Sequence, residues 1–300
     1  MSRPITKAIV PAAGWGTRLL PATKSQPKEM LPVGRKPAVQ YVVEELQAAG
    51  VHQILIITGR RKRAIEDHFD ADPDLVRVLR EAGNEALIEA LSYIEAGTQF
   101  FYTRQSTPQG LGHAISLGAS FVDGEDCIVA LGDSLLWGPD PAAPLRAMMQ
   151  AHQELQAAAV IAVEAVPEEE THQYGIVVPE VEDPPPGRPV RLTDIVEKPR
   201  RGTAPSNLAV AARYTFSPLI FDALARVVPD QRGEIQLTDA IRLLIQMGEP
   251  VYLWRLRPGE RRYDIGNFFS YFRTFLDFAL TDERYGYLAR QYLKAKSYEL

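Results

Sequence analysis

Between Lys7 and Pro37 the chain reads KAIVPAAGWGTRLLPATKSQPKEMLPVGRKP, and this stretch restricts the fold more than any other. Ala8-Ile9-Val10 is an apolar run with the character of a buried strand, and it breaks at Pro11 into Ala-Ala-Gly-Trp-Gly-Thr-Arg. The small residues Ala12, Ala13, Gly14 and Gly16, with Thr17 after them, let backbone N–H groups close on an anion. Glycine also accepts the positive φ that such a cradle needs. Arg18, Lys24, Lys28, Arg35 and Lys36 follow, with Glu29 the one carboxylate among them. A strand, a glycine-rich turn and a cation cluster in that order make a candidate polyphosphate site. Two familiar phosphate motifs are missing. Gly14-x-Gly16 is followed by Leu19 where a dinucleotide fingerprint needs Gly or Ala, and no Gly-Lys-Ser/Thr triplet of a P-loop occurs. A glycine pair alone is equally compatible with a plain strand-to-helix turn.

The chain of 300 residues suits one large α/β domain or two smaller ones. Its net charge of −5 does not advertise nucleic-acid binding, so the local basic cluster points to small anionic ligands. The single cysteine, Cys127, excludes an intrachain disulfide and a cysteine-cluster metal site, and it sits in an apolar run as core. No apolar stretch approaches the roughly 18 residues of a membrane span, and the N-terminus lacks the apolar centre of a signal peptide. The expectation is a cytoplasmic protein with no membrane and no nucleic-acid partner.

Residues 39–49 carry apolar positions at helical spacing, closed by Gly50, and Ile54-Leu55-Ile56-Ile57 reads as a buried parallel strand. A helix over 60–69, a mostly helical 71–96 starting at Asp72-Pro73-Asp74, and a strand at 99–103 follow. The order strand, loop, helix, strand, helix predicts a Rossmann-like, doubly wound α/β sheet. Gln105 to Ala114 (QSTPQGLGHA) is a second informative loop, with a helix expected to begin at His113. Gln105 has an amide that both donates and accepts, as uracil or thymine requires. His113 reads as a helix-start or second-layer residue rather than a catalytic one. Cys127 to Leu131 is a buried strand ending in Gly132-Asp133-Ser134, and a carboxylate there sits where open α/β sheets bind ligands. One well-placed aspartate suffices to recruit Mg2+ beside phosphate oxygens, and Asp133 is assigned to the metal. A helix over 139–156 and a strand over 157–166 come next. From about 158 to 265 the strands look short and antiparallel, and 182–189 (EDPPPGRP) reads as an exposed hairpin tip. Glu197-Lys198 in a regular strand would point to opposite faces, so a bulge or strand end is needed if both touch one ligand. Thr238 and Asp239 read as helix-start residues.

The run G-x-G-T-R followed by P-K-E-M-L-P resembles the signature of the sugar-nucleotide pyrophosphorylases, and is close to that of their branch that makes UDP-glucose. The segments Tyr174-Gly175, Glu197-Lys198-Pro199, Ser206-Asn207-Leu208, Gly233 to Ala240 and Asp264-Ile265-Gly266 extend the likeness over about residues 5–280. The resemblance implies an α/β fold of the nucleotide-diphospho-sugar transferase type, with a small antiparallel sugar-binding subdomain and C-terminal helices. The expected division is 1–157 for the nucleotide, 158–265 for the sugar phosphate, and 266–300 as helices for packing or oligomer contact. It implies transfer of a uridylyl group from UTP to glucose 1-phosphate, giving UDP-glucose and pyrophosphate with Mg2+ as cofactor, in a homo-oligomer, dimer or tetramer.

By the same resemblance, Ala12, Ala13, Gly14, Gly16, Thr17, Glu29, Gln105, Gly110 and Gly112 bind the nucleotide, with Gln105 reading the pyrimidine edge. Tyr174, Gly175, Glu197, Lys198 and Asn207 line the sugar-phosphate pocket, and Asp264 joins Asp133 at the metal. Arg18 holds the departing phosphates, Lys28 the nucleotide phosphates and Lys198 the sugar phosphate. Two departures stand out: Gln109 where relatives often carry Lys, and Phe268-Phe269-Ser270 where they show Lys-Leu-Gly. Transfer from dTTP, or to another sugar 1-phosphate, is the first alternative, since Gln105 would read thymine and uracil alike. A non-catalytic sugar-nucleotide binder is the second.

Overall fold

A computed structural model describes residues 4–94 and 97–297. Residues 95–96 of the expected helical stretch, and 298–300 of the expected C-terminal helices, lie outside the described residues. From the N-terminus run β1 (Lys7–Pro11), the two-residue strands β2 (Pro32–Val33) and β3 (Lys36–Pro37), α1 (Ala38–Ala48), β4 (Gln53–Thr58) and α2 (Arg63–Phe69). Then come α3 (Pro73–Glu81), α4 (Glu85–Glu89), β5 (Gln99–Arg104), α5 (Gly110–Ser116), α6 (Ala119–Val122), β6 (Cys127–Ala130), β7 (Ser134–Trp137), α7 (Ala143–Glu154) and β8 (Ala159–Ala165). The second half adds β9 (Gly175–Pro179), β10 (Pro189–Glu197), β11 (Leu208–Phe216), α8 (Leu219–Arg226), α9 (Leu237–Gln246), β12 (Val251–Arg255), β13 (Arg261–Asp264), α10 (Phe268–Thr281) and α11 (Gly286–Lys296).

Nine strands form one mixed sheet in the order β5-β4-β1-β6-β11-β8-β12-β10-β9. β5, β4, β1 and β6 are parallel, and β1 lies between β4 and β6. Strand order therefore reverses beside β1, which opens a crevice at its carboxyl end. Both faces of β1 are covered: Ile9 packs in one apolar cluster with Ile57 and Ile115, while Ala8 and Val10 pack in another with Val42 and Ile54. Alternate residues point to opposite faces, so a strand buried on both sides must be apolar throughout. That is why KAIVP carries no alternation.

The strands beyond residue 158 continue the same sheet. β11 runs antiparallel to both β6 and β8, and β12 is parallel to β8. β9 pairs with β10 and touches β11 at Ile176↔Ala209, so β11, β8, β12, β10 and β9 close into a ring at that end. β10 and β11 are nine residues each, longer than the short strands expected. A strand that sequence reading did not anticipate, β7, pairs antiparallel with β13 and sets Ser134 opposite Asp264. The helix after the QSTPQ loop starts at Gly110, three residues before His113.

Behind the site, the wholly buried Arg213 of β11 forks onto Glu45 of α1 at 2.8 and 2.6 Å and also donates to the carbonyl of Ser134 at 3.0 Å. This two-pronged pairing ties helix, central strand and β7 together. α10 opens with a capping box between Asn267 and Ser270, which accounts for Ser270 in the departing Phe268-Phe269-Ser270 triplet.

Candidate active site

The chain leaves β1 into Ala12–Arg18. The N–H of Ala12 is spent on the carbonyl of Ile57 at 2.8 Å, whereas those of Gly14, Trp15 and Gly16 have no backbone acceptor among the described residues. Gly16 adopts φ 66, and its carbonyl is held by the Thr23 hydroxyl at 2.7 Å. The loop thus offers a row of free donors, as a polyanion cradle requires. It separates two concavities. One of about 330 Å3 is lined by Ala13, Gly14, Thr17, Arg60, Arg61 and Gln105. The other, about 530 Å3, holds Arg18, Asp133, Glu197, Lys198, Arg262 and Asp264.

Lys28 links the loop to the second concavity. Its ammonium bonds to the Asp133 carboxylate, and its Cε and Nζ lie 3.7 Å from where a Cβ on Gly14 would stand. Burial works against its charge, but Asp133 and Glu29 outweigh that and hold it above the ordinary lysine range. Asp133 pays the same desolvation, which Lys28 more than offsets, so its carboxyl is held below the usual range. Asp264, across the β7–β13 ladder, goes the other way: burial and the nearby Asp133 charge raise it, against Arg262. Gly266 N–H donates to Asp264 Oδ1 at 2.5 Å, and Ile265 N–H to the Asp133 carbonyl at 3.1 Å, fixing the two acids side by side. Two converging hard-oxygen donors, with one carboxyl destabilised by the other, suit a divalent cation that also takes phosphate oxygens. The residues present fit the group. Among the described residues, no cluster of three or more metal-ligating side chains occurs, so phosphate and water would complete the shell.

On the far wall, β10 ends at Glu197 and Lys198 turns to φ 41, its N–H donating to the Tyr174 carbonyl at 3.0 Å. That left-handed residue breaks the alternation and brings both side chains to one cleft, with Lys198 Nζ 3.0 Å from Glu197 Oε1. Thr238 and Asp239 fall in the first turn of their helix, as the sequence predicts, but the helix carries no side-chain cap. α9 begins at Leu237, and the Thr238 hydroxyl donates to Glu197 Oε2 at 2.7 Å. Ala212, in the same wall, also holds a left-handed φ of 59, where the β11–β8 register slips. Gly110 and Gly112 are required by contact: a Cβ would come within 2.6 Å and 2.8 Å of the Ile235 carbonyl. Paired bonds, Gly112 N to Ile235 O and Ile235 N to Gln109 O, both 2.8 Å, stitch this loop to the segment before α9.

The structure gathers Arg18, Asp133, Tyr174, Gly175, Glu197, Lys198 and Asp264 in one cleft, and Ala13, Gly14, Thr17 and Gln105 in the other. Two expected contacts change. Glu29 is 1% exposed and receives Lys62 Nζ at 2.6 Å, so it supports the loop from inside rather than touching a nucleotide. A free carboxylate there would repel phosphate; burial pushes Glu29 up and Lys62 down, opposed by their mutual attraction. Asn207 sits exposed at the foot of β11, where its carbonyl accepts from Val166, and it does not line the cleft. Arg262 is the residue sequence reading overlooked. Its side chain is 7% exposed, bonds Glu164 at 2.9 Å, stacks 4.7 Å over the Tyr174 ring and stands 3.7 Å from Asp264. Its two-residue offset from Asp264 within a strand was the available signal, since such residues share a face.

A doubly wound sheet with a donor-rich loop at its reversal point and paired acids beside a cation defines a class of enzymes that handle nucleotide phosphates. The chain belongs to the nucleotidyl transferase family, whose model matches residues 7–280. It is 45% identical over 281 residues to UTP–glucose-1-phosphate uridylyltransferase 2 of Staphylococcus saprophyticus, covering 94% of each chain. Its fold is similar to that of the UTP-bound UGPase from Acinetobacter baumannii, with TM-score 0.88 and 37% identity over 96% of this chain and 98% of that one. A UDP-glucose pyrophosphorylase solved with UDP-glucose is 36% identical, with TM-score 0.81 over 91% of this chain and 98% of that one.

Proposed function

We propose that this enzyme transfers the uridylyl group of UTP to glucose 1-phosphate. A phosphate oxygen of the sugar attacks the α-phosphorus in line and the bridging α–β P–O bond breaks. Pyrophosphate leaves with that electron pair, and UDP-glucose remains. The observation that carries the reading is the Lys28–Asp133 contact, which joins the donor loop to the cleft that also holds Glu197, Lys198 and Asp264. The names of the relatives supply the nucleotide and the sugar phosphate.

A phosphate monoester has a second pKa of about 6, so the nucleophile is ionised at neutral pH and needs no base. What the reaction needs is two polyanions held together, which is a task of positioning and electrostatics. In this reading the donor loop and Arg18 take the terminal phosphates, Lys28 the phosphates nearer the sugar acceptor, and Lys198 the sugar phosphate. Glu197, oriented by Thr238, accepts from glucose hydroxyls. Asp133 and Asp264 would hold Mg2+, which when bound neutralises phosphate charge. Residues 1–157 then serve the nucleotide, 158–265 the sugar phosphate, and the helices after 266 packing and contact between subunits. Pyrophosphate release with Mg2+, across UTP, dTTP, CTP, GTP and ATP against glucose, galactose and mannose 1-phosphates, tests the reading. UTP with glucose 1-phosphate should dominate. A dominant dTTP pair would correct the nucleotide, and no release from any pair would overturn the reaction.

A further inference from the structure

Gln105 follows the last residue of β5, is 5% exposed, and lines the 330 Å3 concavity. Its amide nitrogen faces two partners at once, the Gly110 carbonyl at 3.1 Å and His113 Nδ1 at 2.9 Å. A carbonyl oxygen only accepts, so the group directed at Gly110 is the NH2. That NH2 has two hydrogens. The second points at Nδ1, which must therefore carry a lone pair, leaving the ring proton on Nε2. Both donors are consumed inside the protein. Oε1 is left with no partner among the described residues. The frame around it is rigid, because the Gln109–Gly112 loop is doubly bonded to Ile235 and its glycines abut that backbone.

We propose that His113 is a positioning residue for base selection: it fixes the Gln105 amide so that only an acceptor, Oε1, meets the base. The inference rests on the uridylyl-transfer reading and deepens it. Uracil and thymine present N3–H to that oxygen and pair with it. Cytosine presents a lone pair at N3, so two acceptors would face each other. Leaving enclosed polar groups unpaired disfavours a cytidine nucleotide by roughly 10–100-fold. Without His113 the second amide hydrogen is free, the amide can turn, and a donor becomes available to cytosine.

The test compares dissociation constants for UTP and CTP, by titration calorimetry, in wild type, His113→Ala and His113→Asn, each checked for a wild-type melting curve. The side-chain oxygen of asparagine can accept where Nδ1 does. Wild type should favour UTP, His113→Ala should lose at least about tenfold of that ratio, and His113→Asn should recover most of it. The KM for glucose 1-phosphate should not move. An unchanged ratio in His113→Ala overturns the proposal, as does a parallel loss on both nucleotides with Asn no better than Ala. Binding reads base selection without turnover. A wild type that prefers UTP in binding yet releases no pyrophosphate would overturn the reaction while leaving the role of His113 standing.

Discussion

Lys28 and Asp133 lie 105 positions apart in sequence, and their contact is the centre of the site. Each was nameable from its motif, because a cation after a glycine-rich turn and an acid after a buried strand have few other uses in combination. Replacing Lys198 by alanine should lower turnover by roughly 10²–10³ through loss of one preorganised donor. Steady-state kinetics with both substrates would check it, and unimpaired kcat and KM would remove Lys198 from the mechanism. Arg213 carries a different prediction. It and Glu45 are 0% and 5% exposed, so Arg213→Met should destabilise by about 3–5 kcal/mol by stranding a buried carboxylate. Arg213→Met with Glu45→Leu should restore much of that, read as denaturant midpoints. Neither the Arg213–Glu45 pair nor the Thr238–Glu197 bond was legible in the sequence. Each depends on which strand lies beside which, and that is information no single segment contains. The left-handed turn at Lys198 could be stated only as a need.

At the scale of elements, periodic helices and apolar runs were legible even when short, as the four-residue β6 was, and segments lacking either signal were not. The helix expected at 39–49 appears as α1 and the apolar run at 54–57 as β4, whereas β7 has only four residues and no alternation to betray it. Yet β7 is what places Asp133 beside Asp264. α1 and α2 meet through Gln40 and His68, whose ring lies 3.1 Å from the Gln40 amide oxygen and stacks on Tyr93 at 22°. Burial lowers the His68 pKa below its ordinary 6.5, against a smaller opposing pull from Glu44. The unfolded chain therefore binds a proton that the folded chain refuses. Stability is full above about pH 6.5 and falls as pH drops toward the lowered folded value. His68→Phe removes this linkage while keeping a ring over Tyr93. Between about pH 7.5 and about pH 5.5 its Tm should fall by less than that of wild type. An equal fall in both would show that His68 carries none of the acid sensitivity.

Taken as a whole, the molecule uses its sheet to bring sequence-distant segments to one crevice, which the first turn of α10 also reaches through Ser270, while the rest of the last two helices lies away from it. Among the described residues no helix is long and apolar enough to cross a membrane. Of the aromatic stripe after Asn267, Phe278 is core, stacked edge-on by Tyr41, Trp137 and Tyr263. Phe268 and Tyr271 are half-buried, whereas Phe269 is 78% exposed, Phe272 57%, Tyr287 64% and Tyr292 63%, with Leu288 beside them at 62%. Phe269, Phe272 and Leu276 recur at three- and four-residue intervals on α10, as Leu288 and Tyr292 do on α11, so each helix shows solvent an apolar stripe. A monomer rarely leaves such surface bare, and the two helices that carry it pack on each other. The homo-oligomer that the family resemblance implies would have these stripes to cover. Phe272→Glu with Leu288→Glu should therefore shift the mass measured by light scattering toward the monomer. The melting curve of the isolated subunit should stay close to that of wild type at high dilution, because neither side chain is part of the core. An unchanged mass would place any subunit contact on another face and leave the helices as an apolar surface without that partner.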